Sequence, residues 1–169
     1  EADERNNVLS GLKDSDVLNE LNTLHTEGIK LVDPTDRSGA FRGRDKAYEH
    51  LGTQIKNAQK SITLMTSKEG FERKYEILGP ALKKAAKAGV DVKISVPSTA
   101  NKELMKEISK FATIKTGKDK NDARFMLVDN THLTLFLTDD VKVHKSYDCA
   151  VWVEAPLFVN YFNSLFEQS

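Results

Sequence analysis

Arginines and glycines are concentrated between residues 35 and 46, in the segment TDRSGAFRGRDK. Backbone N–H groups of a glycine-rich loop can surround an anion, and Arg37, Arg42 and Arg44 could pair with its negative charge. The segment has two glycines and lacks the full phosphate-loop pattern. A solvated loop that leads into a helix is therefore the simpler interpretation, and Arg42 and Arg44 stand beside it as candidate ligand-binding residues.

The histidines and the single cysteine are the other side chains suited to nucleophilic or metal chemistry. The pattern of the chain places His25 in an N-terminal helix, His50 in a second helix, His132 in a hairpin and His144 in a loop. Cys149 lies in the apolar run CAVWV, as is typical of a small buried hydrophobic residue. One cysteine cannot form an internal disulfide, which favours a reducing cytoplasm. We expect no metal site and no cofactor.

The charge balance of the chain argues against a nucleic-acid-binding surface. Its 169 residues carry 25 basic and 25 acidic side chains, whereas a domain that binds nucleic acid usually has a strong basic excess. No apolar run approaches the roughly 20 residues that span a bilayer, so no membrane partner is expected. The length fits one domain with an appendage.

A central hairpin is predicted between residues 123 and 138. Residues 123–128 are almost wholly apolar, which is typical of a strand buried on both sides. Residues 132–138 alternate between two faces, as a second strand would. Asp129 and Asn130 separate the two runs, and both residue types tolerate the left-handed conformation of a tight turn.

The elements around this hairpin predict an α/β fold. Their order is β-α-β-α-β-α-β-β-β-β-α, beginning with a strand at residues 29–32, and it indicates a mixed sheet with helices on both faces. Residues 29–169 form this domain. Residues 1–28 carry a thin apolar stripe and predict a connector helix that pairs with a partner, or else folds onto its own domain. Because the chain opens without an initiator Met, we expect a trimmed fragment.

The hairpin, the following VHKSYDCAVWV and the last helix resemble one half of the phospholipase-D-like fold. The signature of that family is His-x-Lys-x4-Asp on the strand that enters the hairpin. At matching spacing this chain has Asp122, Arg124 and Asp129, so an acid replaces the nucleophilic histidine and arginine replaces the lysine. The family's Gly-Ser pair falls on Phe136-Leu137 and is absent. The resemblance therefore implies a catalytically inactive relative; a divergent phosphodiesterase is the alternative.

Three segments resemble the sensor domain of the TrmB family of archaeal transcriptional regulators. They are GIKLVDPTDRSGAFRGRDKAYEHL at the start, and ARFMLVDN with DCAVWVEAPLFVNYF at the end. This resemblance implies an effector-binding and dimerisation domain. It also implies that DNA is bound only through a winged-helix domain that this chain does not contain. The expected partners are a second copy of the chain, in a homodimer, and a small effector such as a sugar. A dimerisation module without a ligand is the other alternative.

The resemblance also indicates where an effector would bind. Asp122, Arg124 and Asp129 would remain as a pocket without its catalyst, and two acids with an arginine suit a hydroxyl-rich molecule. The alternative is structural: Asp122 and Arg124 form an ion pair, and Asp129 is the turn residue.

Overall fold

The computed structural model describes residues 37–117, 123–139 and 141–169. The predicted connector at residues 1–28, the strand at residues 29–32 and Asp122 lie outside these ranges, so the domain boundary near residue 28 stays a prediction. No helix of the described residues is long and apolar enough to cross a membrane.

The described residues form seven strands and four α-helices. In chain order these are β1 (Arg37–Arg42), α1 (Arg44–Asn57), β2 (Ser61–Met65), α2 (Lys68–Lys87), β3 (Asp91–Pro97), α3 (Lys102–Ile108), β4 (Thr113–Gly117), β5 (Phe125–Val128), β6 (His132–Phe136), β7 (Cys149–Glu154) and α4 (Pro156–Glu167). A 3₁₀ helix, Lys145–Tyr147, precedes β7. From α1 onward, this order of helices and strands is the predicted one.

The seven strands pair into one mixed sheet, in the order β1-β7-β6-β5-β2-β3-β4. Strands β2, β3 and β4 are parallel and are joined by helices, whereas β5, β6, β7 and β1 each pair antiparallel with their neighbours. Parallel neighbours need a crossover, which α2 and α3 supply. The prediction of a mixed sheet is confirmed.

Two apolar clusters cover the two faces of the sheet. The larger cluster joins Leu51 of α1 and Leu82 of α2 to Leu64 and Ile94 of the sheet. The smaller one packs Phe166 of α4 and its neighbours against the opposite side of the central strands. The prediction of helices on both faces is thus confirmed. α1, α2 and α4 each bury apolar side chains on one face, and such burial is the main source of helix stability in a domain of this size.

The predicted hairpin is also confirmed, and β5 is the middle strand of the sheet. Every residue of β5 is buried. Asp129 and Asn130 have φ values of 54° and 53°, and the N–H of Thr131 donates to the carbonyl of Val128 at 3.1 Å. Positive φ at both central residues is the geometry of a type I′ turn, whose twist matches that of the flanking strands.

The first described segment corrects the sequence analysis, because residues 37–42 form an edge strand rather than a loop. β1 pairs antiparallel with β7 along its whole length. Edge strands tolerate charged residues and short length, so the polar RSGAFR run is compatible with pairing. Gly39 is required there, because a Cβ at this position would lie 2.2 Å from Nε1 of Trp152. The indole of Trp152 occupies the space that a side chain at position 39 would fill.

Candidate functional site

Charged side chains meet at the sheet edge where the parallel strands β2, β3 and β4 have their carboxyl ends. Arg124 directly precedes β5, which runs antiparallel to β2, and therefore lies at this edge. Asp148 directly precedes β7 at the same edge. In open α/β sheets, ligands bind outside the carboxyl ends of the parallel strands. This edge of the sheet is therefore the candidate binding site.

Asp148 is fully buried and accepts hydrogen bonds on both carboxylate oxygens. Its Oδ2 accepts from Nε of Arg44 at 2.9 Å and from Nη2 of Arg124 at 3.1 Å. Its Oδ1 accepts from Oγ1 of Thr138 at 2.6 Å. Arg124 is 2% exposed and also donates to the carbonyl of Thr138 at 2.6 Å. One carboxylate thus joins β5, β7 and the start of α1.

These bonds decide the charge state of Asp148. Burial alone would raise the pKa of its carboxyl group, but hydrogen bonds from Arg124, Thr138 and Arg44 outweigh it and hold the pKa below its usual value. The carboxylate is therefore ionised at neutral pH. A buried charge of this kind is tolerated only because it is paired and hydrogen-bonded.

Lys74 is a second buried cation near the ion pair of Arg124 and Asp148. Lys74 of α2 is 1% exposed and donates to Oγ1 of Thr66 at 2.9 Å. Its ammonium group lies 4.9 Å from the ring centroid of Phe136, and the guanidinium of Arg124 lies 4.6 Å from the same centroid. A cation within about 6 Å of an aromatic ring is attracted by the ring quadrupole, so Phe136 helps to hold both charges at this edge.

Arg42 brings a third guanidinium group to the same segment. Its Cζ lies 5.3 Å from the ring centroid of Tyr147, and both side chains are exposed. The N–H of Gly43, between Arg42 and Arg44, donates to the carbonyl of Asp148 at 2.8 Å. We call the set Arg42, Arg44, Arg124, Tyr147 and Asp148 the arginine centre. Three of the five predicted ligand-binding residues, namely Arg42, Arg44 and Arg124, therefore meet here.

Asp129 lies at the other end of β5, away from Arg124. Its carboxylate accepts the backbone N–H groups of Gln59, Lys60 and Ser61 at 2.6–3.1 Å, and so fixes the loop between α1 and β2. Burial would raise the pKa of this carboxyl group, but these three donors lower it. The predicted grouping of Asp129 with Arg124 is therefore wrong, because the two residues are separated by the length of the strand.

A histidine pair lies at the end of β6 that is remote from the arginine centre. Nε2 of His50 on α1 lies 2.9 Å from Nε2 of His132, whose Nδ1 lies 3.1 Å from Oε1 of Glu154. The ring of Trp152 stacks on His132 with a centroid distance of 5.4 Å. Burial, followed by the proximity of His132, lowers the pKa of His50 to about 4. These histidines were not predicted to pair, because 82 residues separate them in the chain.

A family model described as "Transcriptional regulator TrmB, EBD N-terminal subdomain" matches residues 40–169. Among solved structures, TrmBL2, described as an archaeal chromatin protein that shows a novel mode of DNA binding, is similar with 20% identity and a TM-score of 0.63. The match covers 99% of this chain but only 65% of TrmBL2, so the chain spans about two thirds of that relative. No curated protein matches the sequence.

Phospholipase D relatives share the fold. NucT from Helicobacter pylori is 14% identical with a TM-score of 0.60, over 79% of this chain and 94% of NucT. Nuc from Salmonella typhimurium, described as a phospholipase D family member, is 17% identical with a TM-score of 0.60, over 78% of this chain and 93% of Nuc. These likenesses show a phospholipase-D-like fold. With the family model covering most of its length, the chain belongs to the TrmB family of transcriptional regulators.

Proposed function

We propose that this domain is the effector-binding and dimerisation module of a TrmB-family regulator, and that it carries out no catalysis. DNA would be bound through a separate winged-helix domain. The observation that carries the proposal is the arginine centre, which occupies the sheet edge where α/β folds bind ligands. Membership of a family whose model describes an EBD, an effector-binding domain, supports the same conclusion.

The chemistry of this edge supports binding over hydrolysis. By resemblance, Asp122 and Arg124 occupy the positions of the family's nucleophilic histidine and its lysine. Arg124 is buried and held by Asp148 and Thr138, so its guanidinium has a structural role. A carboxylate at the nucleophile position would be a poor substitute for the imidazole of the catalytic family.

The exposed part of the arginine centre defines the chemistry of the effector. Arg42 offers an exposed guanidinium, and the ring of Tyr147 beside it is 59% exposed. A guanidinium pairs bidentately with a carboxylate or phosphate, and an aromatic face supports the apolar side of a sugar ring. We therefore propose a small hydroxyl-rich effector with an anionic group, such as a phosphorylated sugar.

Thermal unfolding with a panel of sugars, sugar phosphates, nucleotides and inorganic anions tests this proposal. At about 100 times its Kd an effector adds roughly 2.7 kcal/mol, a shift of several degrees. We expect one class of anionic ligand to raise Tm, and Arg42→Ala to abolish that shift with little change in the Tm of the free protein. Arg37→Ala is the matched control, since Arg37 is an exposed arginine at the other end of β1. A panel without any shift would favour a dimerisation module without a ligand.

The outer face of α4 is the surface that we propose for dimerisation. Leu157, Phe158 and Tyr161 are 80%, 53% and 64% exposed, although α4 also buries Val159 and Phe166 in the core. Exposed apolar groups on one side of a helix mark an interaction surface. A second copy of the chain would cover this face through a two-fold interface, in which each α4 contacts the other.

A charged substitution on α4 tests the proposed interface. We expect the full chain to behave as a dimer in light scattering at tens of micromolar, and Phe158→Glu to weaken self-association at least about tenfold, because a buried unpaired charge is costly at an interface. Leu137→Glu is the matched control, since Leu137 is 59% exposed on the loop after β6. If Leu137→Glu dissociates the dimer and Phe158→Glu does not, the interface lies at the edge of the arginine centre instead.

A further inference from the structure

Three elements meet at the histidine pair. His50 comes from α1, His132 from the start of β6, and Glu154 from the end of β7, where it is the cross-strand neighbour of Arg37 on β1. His132 is 5% exposed, whereas His50 is partly exposed, so His50 is the member of the pair in contact with solvent. Phe41 and Trp152 pack against His50, with ring centroids 4.6 and 6.1 Å away.

Glu154 determines which nitrogen of His132 is available. A carboxylate oxygen 3.1 Å from Nδ1 accepts the proton of that nitrogen, which leaves the lone pair of Nε2 directed at His50. Metal-binding histidines characteristically donate their second ring N–H to a carboxylate in this way, because the bond fixes the tautomer and makes the ligand nitrogen more basic. Nothing in the proposed effector chemistry uses this arrangement.

The spacing of the two Nε2 atoms suits a shared ion. Two imidazole nitrogens on one tetrahedral Zn²⁺, each about 2.0–2.1 Å from it, lie about 3.3 Å apart. The observed separation is 2.9 Å, so a small rotation of the partly exposed His50 would admit an ion. His50 would then carry its proton on Nδ1 instead of Nε2, and both Nε2 lone pairs would face the metal without a net change in protonation.

We propose that His50 and His132 bind a divalent late transition metal ion, with Zn²⁺ and Cu²⁺ as the best-suited ions. Imidazole nitrogen favours these metals over Mg²⁺ and Ca²⁺, which prefer oxygen ligands. In the described part of the chain no group of three His, Cys, Asp or Glu side chains converges on one point, so water completes the coordination. No metal site was predicted from the sequence, because the pairing of His50 with His132 is visible only in the fold.

The single tryptophan provides a direct test. Trp152 stacks on both histidines, so a paramagnetic ion bound between them should quench its fluorescence. We expect CuCl₂ or NiCl₂ added to the full chain to quench the emission saturably at one equivalent. EDTA should reverse the quenching, and ZnCl₂ should compete with it. MgCl₂ should have no effect.

Variants separate this site from adventitious binding. His50→Gln should raise the concentration of Cu²⁺ at half-quenching by at least about tenfold, and Glu154→Gln should weaken binding about tenfold or more by releasing the tautomer. His144→Gln is the matched control, since His144 is an exposed histidine before the 3₁₀ helix. If His50→Gln does not fold, the affinity of Glu154→Gln for Cu²⁺ tests the proposal instead. The side chain of Glu154 is partly exposed, so this substitution should leave the fold intact. Quenching that does not saturate, or that is equal in both variants and the wild type, would overturn the proposal.

Discussion

Replacement of Asp148 by alanine should lower the free energy of unfolding by about 3–5 kcal/mol, the cost of removing one partner from a buried ion pair. Asp148 is fully buried and accepts from Arg44, Arg124 and Thr138, so its loss leaves guanidinium groups and a hydroxyl without their shared acceptor. Urea denaturation followed by circular dichroism measures the change, and an unchanged slope with a lower midpoint would show that stability, not compactness, was affected.

Asp139→Ala is the matched control, because Asp139 is an exposed acid on the same loop that accepts the N–H of Val141. It should leave the free energy of unfolding close to that of the wild type, because substitutions of exposed side chains have small effects. The dependence of stability on pH provides a second test of the role of Asp148. The folded-state pKa of Asp148 lies below its ordinary value, so its contribution is present above the unfolded-state pKa near 4 and is lost as pH falls through the folded-state value. Asp148→Asn should therefore flatten the loss of stability below pH 4; an equally steep loss would assign it to other carboxyl groups.

Much of the fold follows from local patterns in the sequence. The apolar run in β5 and the Asp129-Asn130 pair predict the central hairpin, because burial on both faces and positive φ each select particular residue types. β1 could not be predicted in this way. Its run of arginines and glycine has no strand period. Its partner strand β7 follows more than a hundred residues later, where Trp152 lies over Gly39.

In the candidate site, too, some residues could be identified from the sequence whereas their long-range partners could not. Arg42, Arg44 and Arg124 could be selected as cations in suggestive segments. Asp148, the common partner of Arg44 and Arg124, could not be identified, since it follows Arg44 by 104 residues. The histidine pair was missed for the same reason. Long-range pairing of side chains depends on strand order and register, and the spacing of residues along the chain predicts neither of them.

Asp129 has two structural roles, one in the turn of the hairpin and one in holding the start of β2. Only the first could be predicted from the sequence. Its left-handed φ of 54° was expected from the residue type, whereas its three backbone donors, Gln59, Lys60 and Ser61, were not. These contacts lie 68 to 70 residues away in the chain. The carboxylate therefore anchors the entry of β2, the neighbour of β5, as well as the hairpin.

Asp129→Ala should lower the free energy of unfolding by about 2–4 kcal/mol, because it removes a charged acceptor of three N–H groups and places alanine in a left-handed conformation. Asp129→Asn should cost about half as much, since asparagine tolerates that conformation and keeps one acceptor oxygen. Asn130→Ala is the matched control: φ is 53° there too, so it isolates the backbone cost of about 1–2 kcal/mol. The measurement is urea unfolding of all three variants. Equal losses for Asp129→Ala and Asn130→Ala would mean that the carboxylate contributes nothing beyond its turn conformation, and that the entry of β2 is held by the sheet alone.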